Sequence, residues 1–171
     1  MFAYDWASGY VSPFKPTPED VAERMLERAA VGKKDLVIDL GSGDGVILLA
    51  AALRGAKAVG YDLDEELNRK ARSRAEEKGV GDLISVSAED ILEVDVLSLA
   101  SEHWSQDEGE KSKVCVVLFI LPEGLVKLEA KAASWVGAGI TVMTVRWKLE
   151  GSELQGLARN DGGEGFWHYC K

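Results

Sequence analysis

The sequence predicts an α/β fold, a doubly wound and mostly parallel sheet of about seven strands that ends in an antiparallel hairpin. Three observations predict it. Short, continuously apolar runs alternate with helix-spaced segments between Leu36 and Val145, the mark of strands covered on both faces and joined by crossover helices. The connections are short and rich in glycine, as βα and αβ turns are. Near the C-terminus Asn160-Asp161-Gly162-Gly163 separates two short extended stretches, about Glu153–Ala158 and Gly165–Cys170, which is a hairpin signal.

Taken in order, residues 1–17 form an arm dense in aromatics, with Phe2, Tyr4, Trp6, Tyr10 and Phe14; it either covers the core edge or helps close a ligand site. Pro16-Thr17-Pro18-Glu19-Asp20 opens a helix, with Thr17 as N-cap, Pro18 at the first helical position and acids at the positive end. Val21, Met25, Leu26 and Ala29 carry its apolar face to about Val31. The first strand is Leu36–Leu40, followed by a helix over 44–54 that Gly55 ends. The second strand is Ala58–Asp62, its helix runs from Asp64 to Lys78, and Gly79 stops it. The third strand covers Leu83–Ser87. Ile91–Ala100 is weakly helical, and the polar, aperiodic Ser101–Lys113 reads as an exposed loop insertion. The fourth strand is Val114–Leu121, the next helix runs from Pro122 to about Trp135, and Ile140–Val145 is the fifth strand. The whole chain, 1–171, is expected to be one domain.

Composition narrows the function classes. With 171 residues, 46% hydrophobic and 29% charged, the chain can bury a core and is not disordered. A formal net charge of -9 speaks against a nucleic-acid backbone as the main partner and permits a basic protein or a small molecule. Cys115 and Cys170 lie in no CxxC or His-rich spacing, so no metal site is expected and both read as free thiols of a reducing compartment. No apolar run is long enough for a membrane span. The first residues, Met1 to Trp6, lack a signal or transit pattern. The expectation is an intracellular, cytoplasmic protein.

The chemistry concentrates at Val37-Ile38-Asp39-Leu40-Gly41-Ser42-Gly43-Asp44-Gly45-Val46. A buried strand ends near an acid, a glycine turn lets the backbone approach a ligand, and a helix begins. A dinucleotide turn wants G-x-G-x-x-G and no acid ahead of it. Here the spacing is G-x-G-x-G and Asp39 precedes it, which suits a ligand bearing an ammonium group and no phosphate. Asp62 ends the second strand, placed to accept from ribose hydroxyls, and Leu63 can pack on a purine. Asp90, with Glu89 beside it after the third strand, can accept from an exocyclic amine. An ammonium-bearing tail, a ribose and an adenine across successive strand ends describe S-adenosylmethionine. The cofactor-binding candidates are Asp39, Gly41, Ser42, Gly43, Asp62, Leu63, Glu89 and Asp90.

These residues resemble the first motif of class I methyltransferases, and the resemblance extends from Asp35 to Val145. Phe14-Lys15-Pro16-Thr17-Pro18-Glu19-Asp20-Val21, IDLGSGDGVILLAAA and VGYDLDEEL resemble more closely the small seven-strand protein-lysine methyltransferases, archaeal and mitochondrial. The resemblance implies a Rossmann-like sheet of order 3-2-1-4-5-7-6 and a protein substrate with an accessible lysine. It also implies a role for Thr17, and less directly Phe14, in enclosing the cofactor. Val116–Pro122 resembles the strand-four segment whose end, at Phe119, borders the methyl group and the acceptor. The family's strand five carries a Ser-His-acid stretch; here Thr144-Val145-Arg146-Trp147 stands in its place, which leaves the substrate open. The mitochondrial members leave a mitochondrial location as the alternative compartment.

Methyl transfer requires alignment and exclusion of water more than a dedicated base. Phe119 and Glu123 are the only catalytic candidates; Glu123 is read first as a first-turn helix acid. His103 and His168 read as non-catalytic, and Trp104 as a partner contact or a surface anchor. The alternatives are a small-molecule methyltransferase, which usually carries a capping domain, and a non-catalytic module that binds the same cofactor.

Overall fold

The computed structural model of the chain describes residues 15–105, 112–160 and 165–171. The aromatic residues of the arm up to Phe14, and the Asp161–Glu164 turn, lie outside the described residues. The elements, in order, are α1 (Glu19–Arg28), β1 (Leu36–Leu40), α2 (Val46–Leu53), β2 (Lys57–Tyr61), α3 (Glu65–Glu77), β3 (Ile84–Ser87), α4 (Val96–Ser105), β4 (Val114–Leu118), α5 (Pro122–Gly137), β5 (Thr141–Val145), β6 (Ala158–Asn160) and β7 (Phe166–Tyr169). One seven-stranded sheet runs in the order β3-β2-β1-β4-β5-β7-β6. The pairs from β3 to β5 are parallel, whereas β7 pairs antiparallel with both β5 and β6. The predicted fold class and strand order are those observed.

The alternation of side chains along the strands builds two cores. Ile38, Leu40, Val116, Leu118 and Val142 face α4 and α5. Val37, Cys115, Val117 and Met143 face α1 and α2. Every residue of β1 and β4 is buried, as continuous apolar runs in the middle of a doubly covered sheet must be. At the amino end of β1, Asp35 accepts from the Lys113 N–H at 2.7 Å and the Gly32 N–H at 2.8 Å, fixing the edge opposite the site.

Several boundaries differ from expectation. Thr17 is not the N-cap: Pro18 occupies that position with no side-chain hydrogen bond, because a proline there already sets an extended entry. α1 stops at Arg28, where Ala30 turns left-handed (φ 50). α2 starts at Val46 rather than Asp44, since Gly43 and Gly45 hold φ 52 and 80 and cannot continue a right-handed helix. The segment 101–105 is helix, not loop: α4 reaches Ser105, and Trp104 packs inward with its indole N–H donating to the Ser112 carbonyl at 2.9 Å. An amphipathic stripe from Val96 outweighs local polarity there. The stretch 153–158 is not one strand but a 3₁₀ turn over Ser152–Leu154 followed by β6. Among the described residues no helix is long and apolar enough to cross a membrane.

Candidate active site

The parallel register sets the site. Leu40 stands beside Tyr61 on β2 and Leu118 on β4, and Tyr61 beside Ser87 on β3. The carboxyl ends of four strands therefore lie side by side, and Gly41, Asp62 and Phe119 each follow one of them. Such a row is where open α/β sheets bind ligands.

The glycine turn is tied to β2 rather than left open. The Gly41 and Ser42 N–H groups donate to the Tyr61 carbonyl at 2.8 and 3.1 Å, and the Gly45 N–H to the Ser42 carbonyl at 3.0 Å. The Gly43 N–H donates to Asp62 Oδ2 at 2.9 Å. Four of the five amides between Gly41 and Gly45 are thus spent inside the protein, which leaves little of the donor cradle a phosphate needs. On the outer side Arg74 pairs with Asp44 at 2.8 Å.

Beneath the turn lies an acceptor instead. Asp39 is 2% exposed, and its Oδ1 has no hydrogen-bond partner. Burial, with the Asp62 carboxylate as a second cause, raises its pKa to about 8. An unpaired buried carboxylate is costly; a cationic ammonium brought beside it would relieve that cost and the repulsion from Asp62 together. The donor set thus fits the amino-acid end of S-adenosylmethionine and does not fit a pyrophosphate.

Asp62 has two duties. Its Oδ2 holds Gly43 and its Oδ1 accepts from the Asp64 N–H at 2.9 Å; each oxygen keeps further acceptor capacity for ribose hydroxyls. Burial raises its pKa while those backbone bonds pull it down. Leu63 is half-buried next to it. Across β3, Asp90 is half-buried and its Oδ1 accepts from the Leu92 N–H at 2.9 Å, while Glu89 is exposed. Thr17 is half-buried ahead of α1, a helix that packs on α2. Glu123 is exposed in the first turn of α5. The structure thus joins Asp39, Gly41, Ser42, Gly43 and Asp62 in one bonded unit, sets Leu63 and Phe119 beside it, and leaves Thr17, Glu89 and Glu123 at its margins.

The acceptor side is built at the ends of β4 and β5. Phe119 and Trp147 rings lie 6.2 Å apart at 35°, and the Arg146 guanidinium sits 5.3 Å from the Trp147 ring. Arg146 is left-handed (φ 70), an uncommon state for a side-chain-bearing residue. Its N–H donates to the Gly165 carbonyl at 2.6 Å, and the fully buried Thr144 hydroxyl donates to the Trp147 carbonyl at 2.6 Å. Cys115 is inert: burial, then the charges of Asp35 and Asp39, push its thiol to about 12.

Sequence reasoning missed two supports. A Cβ on Gly60 would lie 2.6 Å from Ser42 Oγ and 2.5 Å from Leu48 Cδ1, and one on Gly45 would lie 2.6 Å from Ala71 Cβ. A lone glycine inside a strand was the available signal for the first; the second contact joins distant segments and left none.

Comparison with known proteins agrees with this geometry. A family model described as the ANTKMT methyltransferase domain matches residues 39–155. The protein-lysine N-methyltransferase of Saccharolobus islandicus (strain REY15A) is 43% identical over 86 residues, 49% of this chain and 53% of that protein. An ATP synthase lysine N-methyltransferase of Homo sapiens is 32% identical over 119 residues, 70% of this chain and 45% of that protein. The chain spans about half the length of these curated relatives. Among solved structures, an RNA methyltransferase from Salinibacter ruber in complex with S-adenosyl-L-homocysteine superposes with a TM-score of 0.68 at 31% identity, covering 91% of this chain and 92% of that one. The chain belongs to the ANTKMT methyltransferase domain family, whose cofactor is S-adenosylmethionine.

Proposed function

We propose that this chain transfers a methyl group from S-adenosylmethionine to the side-chain amine of lysine in a protein substrate. The observation that carries the reading is Asp39, a buried carboxylate with an unpartnered oxygen under a glycine turn whose amides are already spent. When bound, the cofactor supplies a methyl group activated on a sulfonium. Asp39 receives the ammonium end, and the Gly41-Ser42-Gly43 backbone allows its close approach. Asp62 accepts from the ribose hydroxyls, Leu63 packs on the adenine, and Asp90 with Glu89 takes the exocyclic amine. Thr17 helps to enclose the cofactor, and Phe119 separates it from the acceptor.

The incoming amine must arrive neutral. Phe119 and Trp147 make an apolar mouth that disfavours an ammonium, and the Arg146 charge above Trp147 works in the same direction. Glu123 is the carboxylate just inside α5; its place in the first helical turn accounts for it without a catalytic duty. The names of the lysine methyltransferases and the net charge of -9 support a protein acceptor. A cytoplasmic setting is part of the same reading.

One observation favours a second reading. The Salinibacter ruber relative, matched over nearly its whole length, is described as an RNA methyltransferase. Incubating the protein with methyl-labelled cofactor and a cell lysate, then treating with protease or ribonuclease, separates the two. Label lost to protease and recovered as methyllysine is the expected result. Label lost only to ribonuclease, or found only in small metabolites, overturns the lysine reading.

A further inference from the structure

α3 carries an anomaly on its buried stripe. Leu67, Asn68, Ala71 and Ala75 are its buried residues, and Asn68 is 0% exposed. An amide at such a position is costly, and its Oδ1 has no partner. Its nitrogen explains its presence. Asn68 Nδ2 donates to the Asp62 carbonyl at 2.9 Å and reaches Glu65 Oε2 at 3.4 Å; two acceptors on that side settle which amide atom faces them.

The Asp62 carbonyl is the first one beyond the end of β2, where ladder pairing has stopped at Tyr61. Asn68 therefore fixes the peptide plane between Asp62 and Leu63. The same Asp62 holds Gly43 through its side chain and the Asp64 N–H through its other oxygen. Asp64 caps α3 by accepting from the Glu66 and Leu67 N–H groups. One continuous chain of bonds thus runs from the helix to the glycine turn, and Asn68 anchors its far end.

We propose that Asn68 is a positioning residue for the nucleoside half of the cofactor: by holding the Asp62 carbonyl it sets the direction in which the Asp62 carboxylate and the Leu63 side chain meet ribose and adenine. The inference rests on the assignment of Asp62 and Leu63 to that half. Asn68 itself is buried away from the ligand and acts through the peptide it holds.

The test is calorimetry on the full chain with two probes, S-adenosylhomocysteine and 5′-methylthioadenosine, the second lacking the amino-acid end. Asn68→Leu should weaken both by the same factor, about tenfold for one lost orienting bond. Asp39→Asn should weaken the first and leave the second unchanged. Circular dichroism at the assay temperature shows whether each variant is folded, and Asn68→Met serves if Asn68→Leu is not. Affinity for both probes within about twofold of the parent overturns the proposal, as does a loss confined to S-adenosylhomocysteine, since the effect would then lie at the glycine turn. An Asp62→Ala arm separates the two failures: if Asp62→Ala leaves 5′-methylthioadenosine binding unchanged, the underlying assignment is wrong and the proposal falls with it.

Discussion

The two ends of the reaction site are built in different ways. The donor end, from Asp39 to Gly45 with Asp62, is two short contiguous motifs on neighbouring parallel strands, stitched by backbone amides. The acceptor end draws Phe119 from β4, Arg146 and Trp147 from the exit of β5, and Gly165 from the start of β7. A backbone-stitched turn depends on glycines and one acid and leaves little freedom for substitution. A mouth made of side-chain packing can be refashioned, which is how one fold serves many acceptors.

That contrast can be broken by experiment. The largest effect is expected at the donor end's scaffold. Gly45→Ala forces a left-handed residue (φ 80) and puts a methyl 2.6 Å from Ala71 Cβ; urea unfolding should show a loss of about 3–4 kcal/mol. Pairing it with Ala71→Gly should restore part of that. A variant as stable as the parent would mean that the close approach of α2 and α3 is dispensable.

Next comes Asp39→Ala, for which calorimetry with S-adenosylhomocysteine should record a loss of about 100-fold, the range for a buried charge-assisted contact. Retained affinity would reassign the ammonium site. The same residue predicts a pH dependence. Its pKa is about 8 in the folded protein against an ordinary 3.8, so the folded state holds a proton that the unfolded chain releases. Its contribution is therefore full below about pH 4 and is lost as pH rises to about 8, by about 1 kcal/mol per pH unit. Asp39→Asn, with no such charge to bury, should gain stability over the parent progressively across that window when no cofactor is present. A constant difference between the two proteins from about pH 5 to about pH 8 would contradict the buried-charge account.

The smallest effect belongs to the acceptor end. Trp147→Ala should slow label transfer about tenfold while S-adenosylhomocysteine affinity stays within about twofold. Equal losses in both would mean that the two ends are one unit.

Much of the donor end is legible in the sequence because its physics is local. An acid, alternate glycines and a helical pattern follow one another within about ten residues, and Asp62 recurs at a second strand end. The same locality explains the boundary errors. Thr17 reads as a cap because composition alone cannot tell that Pro18 takes the position. Residues 101–105 read as a loop because their polarity masks a helix whose inner face reaches Trp104.

By itself the sequence determined the layered α/β sheet, its strand order by family resemblance, and a donor turn suited to an ammonium rather than a phosphate. Each follows from periodicity or from neighbouring residues, whose chemistry acts over a few bonds. Only the tertiary structure decided that Asn68 props Asp62, that Gly60 and Ala71 leave room for the turn, and that Arg146 and Trp147 close on Phe119. These contacts join segments far apart in the chain, and nothing in local pattern or propensity encodes which distant side chain will arrive.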